Sequence, residues 1–177
     1  STVFNIKDFL GKSNYKNLVI PQYQRDYSWE EKQFQELWND ILNISYLRGN
    51  IKSNHFIGLL VLISYNSGNV DIVDWQQRLT TIFILLACLR DHYLHFWKSY
   101  PEFSKKAFNR CDQINDLIYQ DRSDDIMKKR LSPNSNDKSF FDDVMFYIKG
   151  ENINKDNDER VLTYEREYTE KSPFKVK

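Results

Sequence analysis

The sequence is short of the residues that usually separate or staple domains. Five glycines and four prolines in 177 residues leave little room for flexible linkers, so one domain of ordinary size is expected. Two cysteines, Cys88 and Cys111, are too few for a disulfide scaffold or a cysteine zinc site, and reduced, partly buried thiols in a cytosolic protein are the expectation. The longest apolar runs, Phe56–Ile63 and Ile82–Leu89, fall well below the roughly 18 residues of a membrane helix. No basic-then-apolar stretch opens the chain, so no signal peptide is read. No charge of one sign dominates either. Twenty-five Lys and Arg balance twenty-five Asp and Glu, which argues against a DNA-coating basic protein and against an acidic mimic, while leaving room for a local basic groove.

What the chain has in abundance is large apolar and aromatic side chains: 41% hydrophobic and 15% aromatic residues can bury a substantial core and exclude global disorder. Leu18-Val19-Ile20 reads as a first strand ended by Pro21. Ser28 and Glu31 form a capping-box pattern, and Phe34, Leu37, Trp38, Ile41 and Leu42 behind it repeat at helical spacing, which predicts an amphipathic helix from about 29 to 47. A hairpin follows, with one run over His55–Tyr65, a turn at Asn66–Asn69 and a short strand at Val70–Val73. From Gln76 to about Tyr100 there is neither Gly nor Pro, and Ile82–Leu89 is apolar nearly all round, as expected of a central helix buried on most faces. Ile114–Tyr119, Asp124–Leu131 and Asp137–Ile148 are further helical candidates, the last stopped at Gly150. Residues 151–177 are charged and poor in aliphatic side chains, so they read as a tail or as the start of a following region. The expected organisation is a core over 1–100, a helical extension of the same domain over 101–150, and that charged segment.

Three clusters combine polar, charged and aromatic groups: Pro21-Gln22-Tyr23-Gln24-Arg25 with Trp29, His55-Phe56-Ile57-Gly58, and Asp74-Trp75-Gln76-Gln77-Arg78. The third lies where a strand meets the start of a long helix, and a helix N-terminus offers free N–H groups and a positive dipole end to a phosphate or other anion. Arg78 would add a bidentate donor. Asp74 would cap the helix or hold a divalent metal beside the phosphate. Gln76 and Gln77 have amides suited to orienting water or reading a base edge. Plainer readings stand beside these: Asp74 as a simple cap, Arg78 as a solvated first-turn cation, Gln24-Arg25 as a surface turn, Trp29 as a core residue. His92 and His95 share a helix face at a chelating spacing, but no third ligand lies near them in sequence. Tyr93, Phe96, Trp97 and Tyr100 are expected to pack against the domain or a partner. Lys128-Lys129-Arg130, the only tight basic triplet, reads as a solvated helix end or as a contact to DNA phosphates.

In one order and with suitable gaps, Ile20-Pro-Gln-Tyr-Gln-Arg-Asp-Tyr-Ser-Trp29, His55-Phe-Ile-Gly58 and Asp74-Trp-Gln-Gln-Arg-Leu-Thr-Thr81 resemble the N-terminal domain of GmrSD-type restriction endonucleases, well over about residues 4–90 and weakly on to Phe141–Ile148. Similar domains occur in phage-defence proteins that sense DNA modification, including the SspE type. The resemblance implies an α+β fold of the ParB/sulfiredoxin-like kind, a small mixed sheet packed on a long buried helix with a helical C-terminal part. It also implies nucleoside triphosphate with Mg²⁺ as ligand, turnover coupled to restriction of DNA, and a cytoplasmic protein whose DNA-cutting chemistry belongs to a C-terminal nuclease domain or partner. Carried over, Asp74, Gln76, Gln77 and Arg78 form the nucleotide site and its catalytic groups, with Asp74 on the metal. Gln24 and Arg25 face the site, and Trp75, His55 and Gly58 line it. The family's glycine stands as Trp75 here. Tryptophan resists the positive φ that glycine allows, so it is expected to close the pocket or to stack on a base. Rival expectations are a non-catalytic DNA-binding module and a protein-interaction module with a degenerate site.

Overall fold

The structure, a computed structural model, describes residues 6–11, 17–46, 58–65, 68–121, 128–145, 152–154 and 159–161. The chain divides into two compact units, residues 1–145 and 146–177. In the first, α1 (Ile6–Gly11) leads to β1 (Asn17–Val19), α2 (Glu31–Tyr46), β2 (Val61–Ser64), β3 (Asn69–Asp74) and α3 (Gln76–Ser99). A single 3-10 turn (Pro101–Phe103) precedes α4 (Ser104–Ile118), which is followed by β4 (Tyr119–Asp121), β5 (Lys128–Lys129), β6 (Leu131–Ser132) and α5 (Ser135–Met145). The second unit contains a two-stranded hairpin of β7 (Asn152–Asn154) and β8 (Glu159–Val161).

The architecture is α+β around a small mixed sheet ordered β2-β3-β1-β6. β1 runs parallel to both β3 and β6, while β2 and β3 form the expected antiparallel hairpin. Register places Leu18 opposite both Val70 and Leu131. These three side chains and Ile72 are buried, so one face of the sheet is core, as a period-2 pattern requires. Phe9 and Leu10 of α1, Leu79, Ile82, Phe83, Ala87 and Leu94 of α3, Ile114 and Ile118 of α4, and Phe141, Val144 and Met145 of α5 complete it. Phe83 and Phe141 meet with ring centroids 6.4 Å apart.

Three expectations need correcting. The thiol of Cys88, expected to be partly buried, is exposed on α3 beside Leu89, which keeps 47% of its surface, although the rest of the 82–89 stretch is buried or half-buried as its apolar run implied. The helix expected over Asp124–Leu131 is instead β5 and β6 at its C-terminal end. The N–H of Leu18 donates to the Arg130 carbonyl (2.8 Å) and that of Ile20 to Ser132 (2.9 Å), and this pairing overrides a run of residues with no strong strand propensity. The basic triplet is not a basic patch either. Arg130 is buried with its guanidinium on the carbonyls of Leu117, Asp116 and Tyr119, each at 3.1 Å, where it caps the C-terminus of α4. Burial lowers its pKa, opposed by the charge of Asp116. Lys129 pairs with Asp142, which also accepts from Lys138 at 2.8 Å.

A second buried arginine ties three elements together. The Arg90 guanidinium bonds Asp91 (2.9 Å), the Met145 carbonyl (3.2 Å) and the Tyr119 hydroxyl (3.4 Å), and that hydroxyl also donates to Met145. A buried charge satisfied this fully holds α3, β4 and α5 in one arrangement. Among the described residues, no helix is long and apolar enough to cross a membrane.

Candidate functional site

Pro21 has no N–H to continue the pairing of β1, and the chain leaves the sheet into a loop that runs to α2. A turn bond from the Gln24 N–H to the Pro21 carbonyl, at 3.0 Å, supports its start. Several of the loop's polar groups are taken up by side chains of α3 and of the start of α5. From α3, the Gln77 carbonyl oxygen accepts the N–H of Ser28 (2.8 Å) while its amide nitrogen donates to the Asp26 carbonyl (3.0 Å). Gln76 donates to Oε1 of Gln24 (3.0 Å), and Nε2 of Gln24 donates to the carbonyl of Val73 at the end of β3 (3.0 Å). Tyr27 shares a hydrogen bond with Thr81 at 2.8 Å. Burial raises its phenol pKa; the Thr81 bond opposes this and the charge of Asp137 adds to it. Gln76, Gln77 and Thr81 are all buried.

From α5 comes a second set of anchors, which the sequence did not suggest. Asn134 and Asn136 both donate to the Asp26 carboxylate, at 2.9 and 3.1 Å. Oδ2 of Asp137 accepts the N–H of Tyr27 (2.7 Å), and Ser135 bonds Gln22 (2.8 Å). Asn134 also accepts the N–H of Asp137 at 3.0 Å, the ordinary cap of a helix start. The Asn-x-x-Asp spacing at 134–137 announces a cap, but nothing in it points to a loop 110 residues earlier.

The start of α2 differs from the capping box expected at Ser28 and Glu31. The Ser28 N–H is held by Gln77, the helix begins at Glu31, and Gln33 reaches back to the N–H of Glu30 at 3.2 Å. Trp29 is half-buried rather than core, and the Arg78 guanidinium lies over its ring, 5.8 Å from the centroid, a cation–π geometry.

β3 ends at Asp74 and α3 begins at Gln76, so a single residue makes the turn from strand to helix. Trp75 does this with φ +77°. The expectation that tryptophan would avoid positive φ is overturned. The conformation costs about 1–2 kcal/mol for an L-residue, and its surroundings hold it. The Trp75 N–H donates to Oδ1 of Asp74 (2.7 Å), and the Trp75 carbonyl accepts from Leu79 (3.0 Å) as the first bond of α3. Trp75 is therefore the residue at the cap position, and Asp74 supports it from one place earlier. The N–H groups of the first turn beyond it have no acceptors within the helix.

Gly58 faces this turn with φ +128°, and a Cβ there would stand 2.8 Å from Nε1 of Trp75 and 3.4 Å from Nη1 of Arg78. The missing side chain is what lets the indole and the guanidinium approach this backbone. The structure thus brings Trp29, Gly58, Trp75 and Arg78 together, and it ties Gln24 to Gln76. Arg25 is exposed on the loop between two anchored neighbours. Asp74 is exposed too. His55 lies outside the described residues, and so does the His95 side chain; His92 is exposed on α3. Among the described residues no group of three or more His, Cys, Asp or Glu side chains is gathered as a metal site of protein ligands would require.

The family model for the GmrSD restriction endonuclease, N-terminal domain, matches residues 6–175. A comparison with curated proteins gives no match.

Proposed function

The chain belongs to the family of GmrSD restriction endonuclease N-terminal domains, and from that premise we propose that it is the nucleotide-binding sensor domain of a nucleotide-dependent restriction or phage-defence protein. One observation carries the reading: a residue in a costly conformation, Trp75 at φ +77°, turns the chain so that β3 leads directly into the N-terminus of a 24-residue helix. Strain retained at a helix start is a pointer to function, since a relaxed turn would serve a purely structural junction.

In this reading the phosphates lie at the N-terminus of α3, where N–H groups and the helix dipole favour negative charge. Arg78 donates to them from the first turn and Arg25 from the facing loop. Gln76 and Gln77 act through the loop, because their amides are committed to Gln24, Asp26 and Ser28. Asp74 fits Mg²⁺, which takes one or two carboxylates together with phosphate oxygens and water; when bound, the ion would neutralise phosphate charge. Hydrolysis, where it occurs, belongs to this cluster, and cutting of DNA belongs to a nuclease domain or partner that the nucleotide state controls.

The test is a thermal-shift and calorimetric titration of the chain with the four ribonucleoside triphosphates and Mg²⁺. A ligand at ~100 times its dissociation constant adds about 2.7 kcal/mol of stability. We expect that shift with at least one nucleotide and its loss in Arg78→Ala. No response to any nucleotide would overturn the reading in favour of a DNA-binding or protein-interaction module.

A further inference from the structure

We infer that the first turn of α5, residues 134–137, is a positioning element of the anion site: it fixes the loop that carries Arg25 and so sets where that guanidinium stands relative to the start of α3. The inference rests on the nucleotide reading above. It concerns residues that touch the loop rather than the ligand, so they are positioning residues, not catalytic ones.

The bonds flank Arg25 on both sides. On its N-terminal side Gln24 is tied to Gln76 and to the end of β3. On its C-terminal side the anchors come from α5, with Asn134 and Asn136 on Asp26 and Asp137 on the N–H of Tyr27. Removing the α5 bonds would leave the Arg25–Tyr27 segment held by Gln77 and Thr81 alone, with the Asp26 carboxylate and the Tyr27 N–H unanchored. Asp137 is informative here. At the third position of a helix an acidic side chain ordinarily turns back onto the N–H of its own cap, but this one takes a backbone N–H of the loop instead. A carboxylate acceptor makes that bond stronger than a neutral one would.

Charge tells the same story. Asp26 is the nearest counter-charge to Arg25 in sequence, and an arginine neutralised by its neighbour would be a poor phosphate donor. The two asparagines supply uncharged donors to both oxygens of that carboxylate, which satisfies it without bringing a competing cation. No described residue pairs with the Arg25 guanidinium, so it stays available to an anion. Asn134, 2% exposed, caps α5 with its oxygen and holds Asp26 with its nitrogen, so the loop and the helix start cannot shift independently.

The experiment is a double-mutant cycle on the full chain, using the tightest-binding of the four ribonucleoside triphosphates with Mg²⁺. Asn136→Ala removes an exposed side chain whose described bonds go only to Asp26. It should leave the melting temperature nearly unchanged, weaken nucleotide binding about fivefold and speed hydrogen exchange at the Tyr27 amide, in line with the usual size of coupling between residues in one network. In an Arg25→Ala background the same change should have no further effect, because a misplaced arginine and a missing one are equivalent. Asp26→Asn, of the same shape, carries the same test should Asn136→Ala lower the melting temperature by several degrees. Wild-type affinity in both variants, or additivity with Arg25→Ala, would overturn the inference while the nucleotide site stood. Faster loop exchange with unchanged affinity would overturn it as well, by reducing the contacts to a plain clamp. A wild-type chain that binds no nucleotide would instead remove the premise and the inference together.

Discussion

Replacing Trp75 by glycine and by alanine separates backbone strain from the loss of the indole. Both variants delete the same ring and the same contact with Gly58, so the difference between them reports the turn alone. At an ordinary position alanine is the more stabilising of the two, by about 0.4–1 kcal/mol, because glycine has more freedom to lose from the unfolded chain. At φ +77° the order should reverse. An L-residue in the left-handed region gives up about 1–2 kcal/mol that glycine does not. Subtracting the first term from the second leaves Trp75→Gly more stable than Trp75→Ala by about 1 kcal/mol. With a urea dependence of about 1–3 kcal/mol per molar, the midpoints should lie ~0.5 M apart, well resolved in a fluorescence or circular-dichroism titration. Should the nucleotide reading hold, Trp75→Gly should also bind nucleotide at least as tightly as wild type, since it keeps the turn and opens the space beside it. Equal midpoints, or alanine above glycine, would refute the argument that this turn stores strain, and with it the observation on which the functional reading rests.

Other expectations follow from the same contacts. Gly58→Ala meets both a φ of +128° and an indole nitrogen 2.8 Å away, and should lose about 1–3 kcal/mol in chemical denaturation; an unchanged midpoint would contradict the packing described. Gln77→Ala removes both bonds to the loop, should lower stability by about 2 kcal/mol, and should speed amide exchange at Ser28 while the middle of α3 stays protected. Burial disfavours the charged form of Asp142, but hydrogen bonds from Lys129 and Lys138 outweigh it and hold the carboxyl below its ordinary value. A depressed carboxyl stabilises the fold above its unfolded pKa of about 4 and loses that contribution as pH falls through the folded value. The difference in melting temperature between wild type and Asp142→Asn should therefore be full near neutral pH and shrink in acid; a constant difference would show that the ion pairs are not its source.

The elements with strong periodicity were legible in the sequence. α2, α3 and the β2–β3 hairpin have local patterns that no long-range partner needed to override. What escaped was decided by residues far away in the chain. The Ser28 N–H was lost to a capping box because Gln77, 49 residues on, had already taken it. The strands at 128–132 were read as helix because β5 pairs with β4 and β6 with the distant β1, which local sequence does not reveal. Around the candidate site, the three motifs did point to the junction at Trp75, yet the identity of Gln76 and Gln77 said nothing of whether their amides faced water or the loop. The anchors at 134–137 had no signal at all beyond that of a helix cap.

The way β6 and α5 close onto the first strand also bears on how the chain is made. β1 and the loop leave the ribosome early, but their partners lie about 110 residues downstream. At roughly 5–20 residues per second, some 5–20 s pass in which β1 has one open edge and Arg25 sits on a loop with half its anchors. Contacts of such wide sequence separation form slowly even in a finished chain. A nascent or truncated polypeptide ending after α3 would already contain Trp75 and Arg78, yet its loop would be held by the α3 side chains alone. Only a chain synthesised through α5 can hold the Asp26 carboxylate and the Tyr27 N–H through Asn134, Asn136 and Asp137.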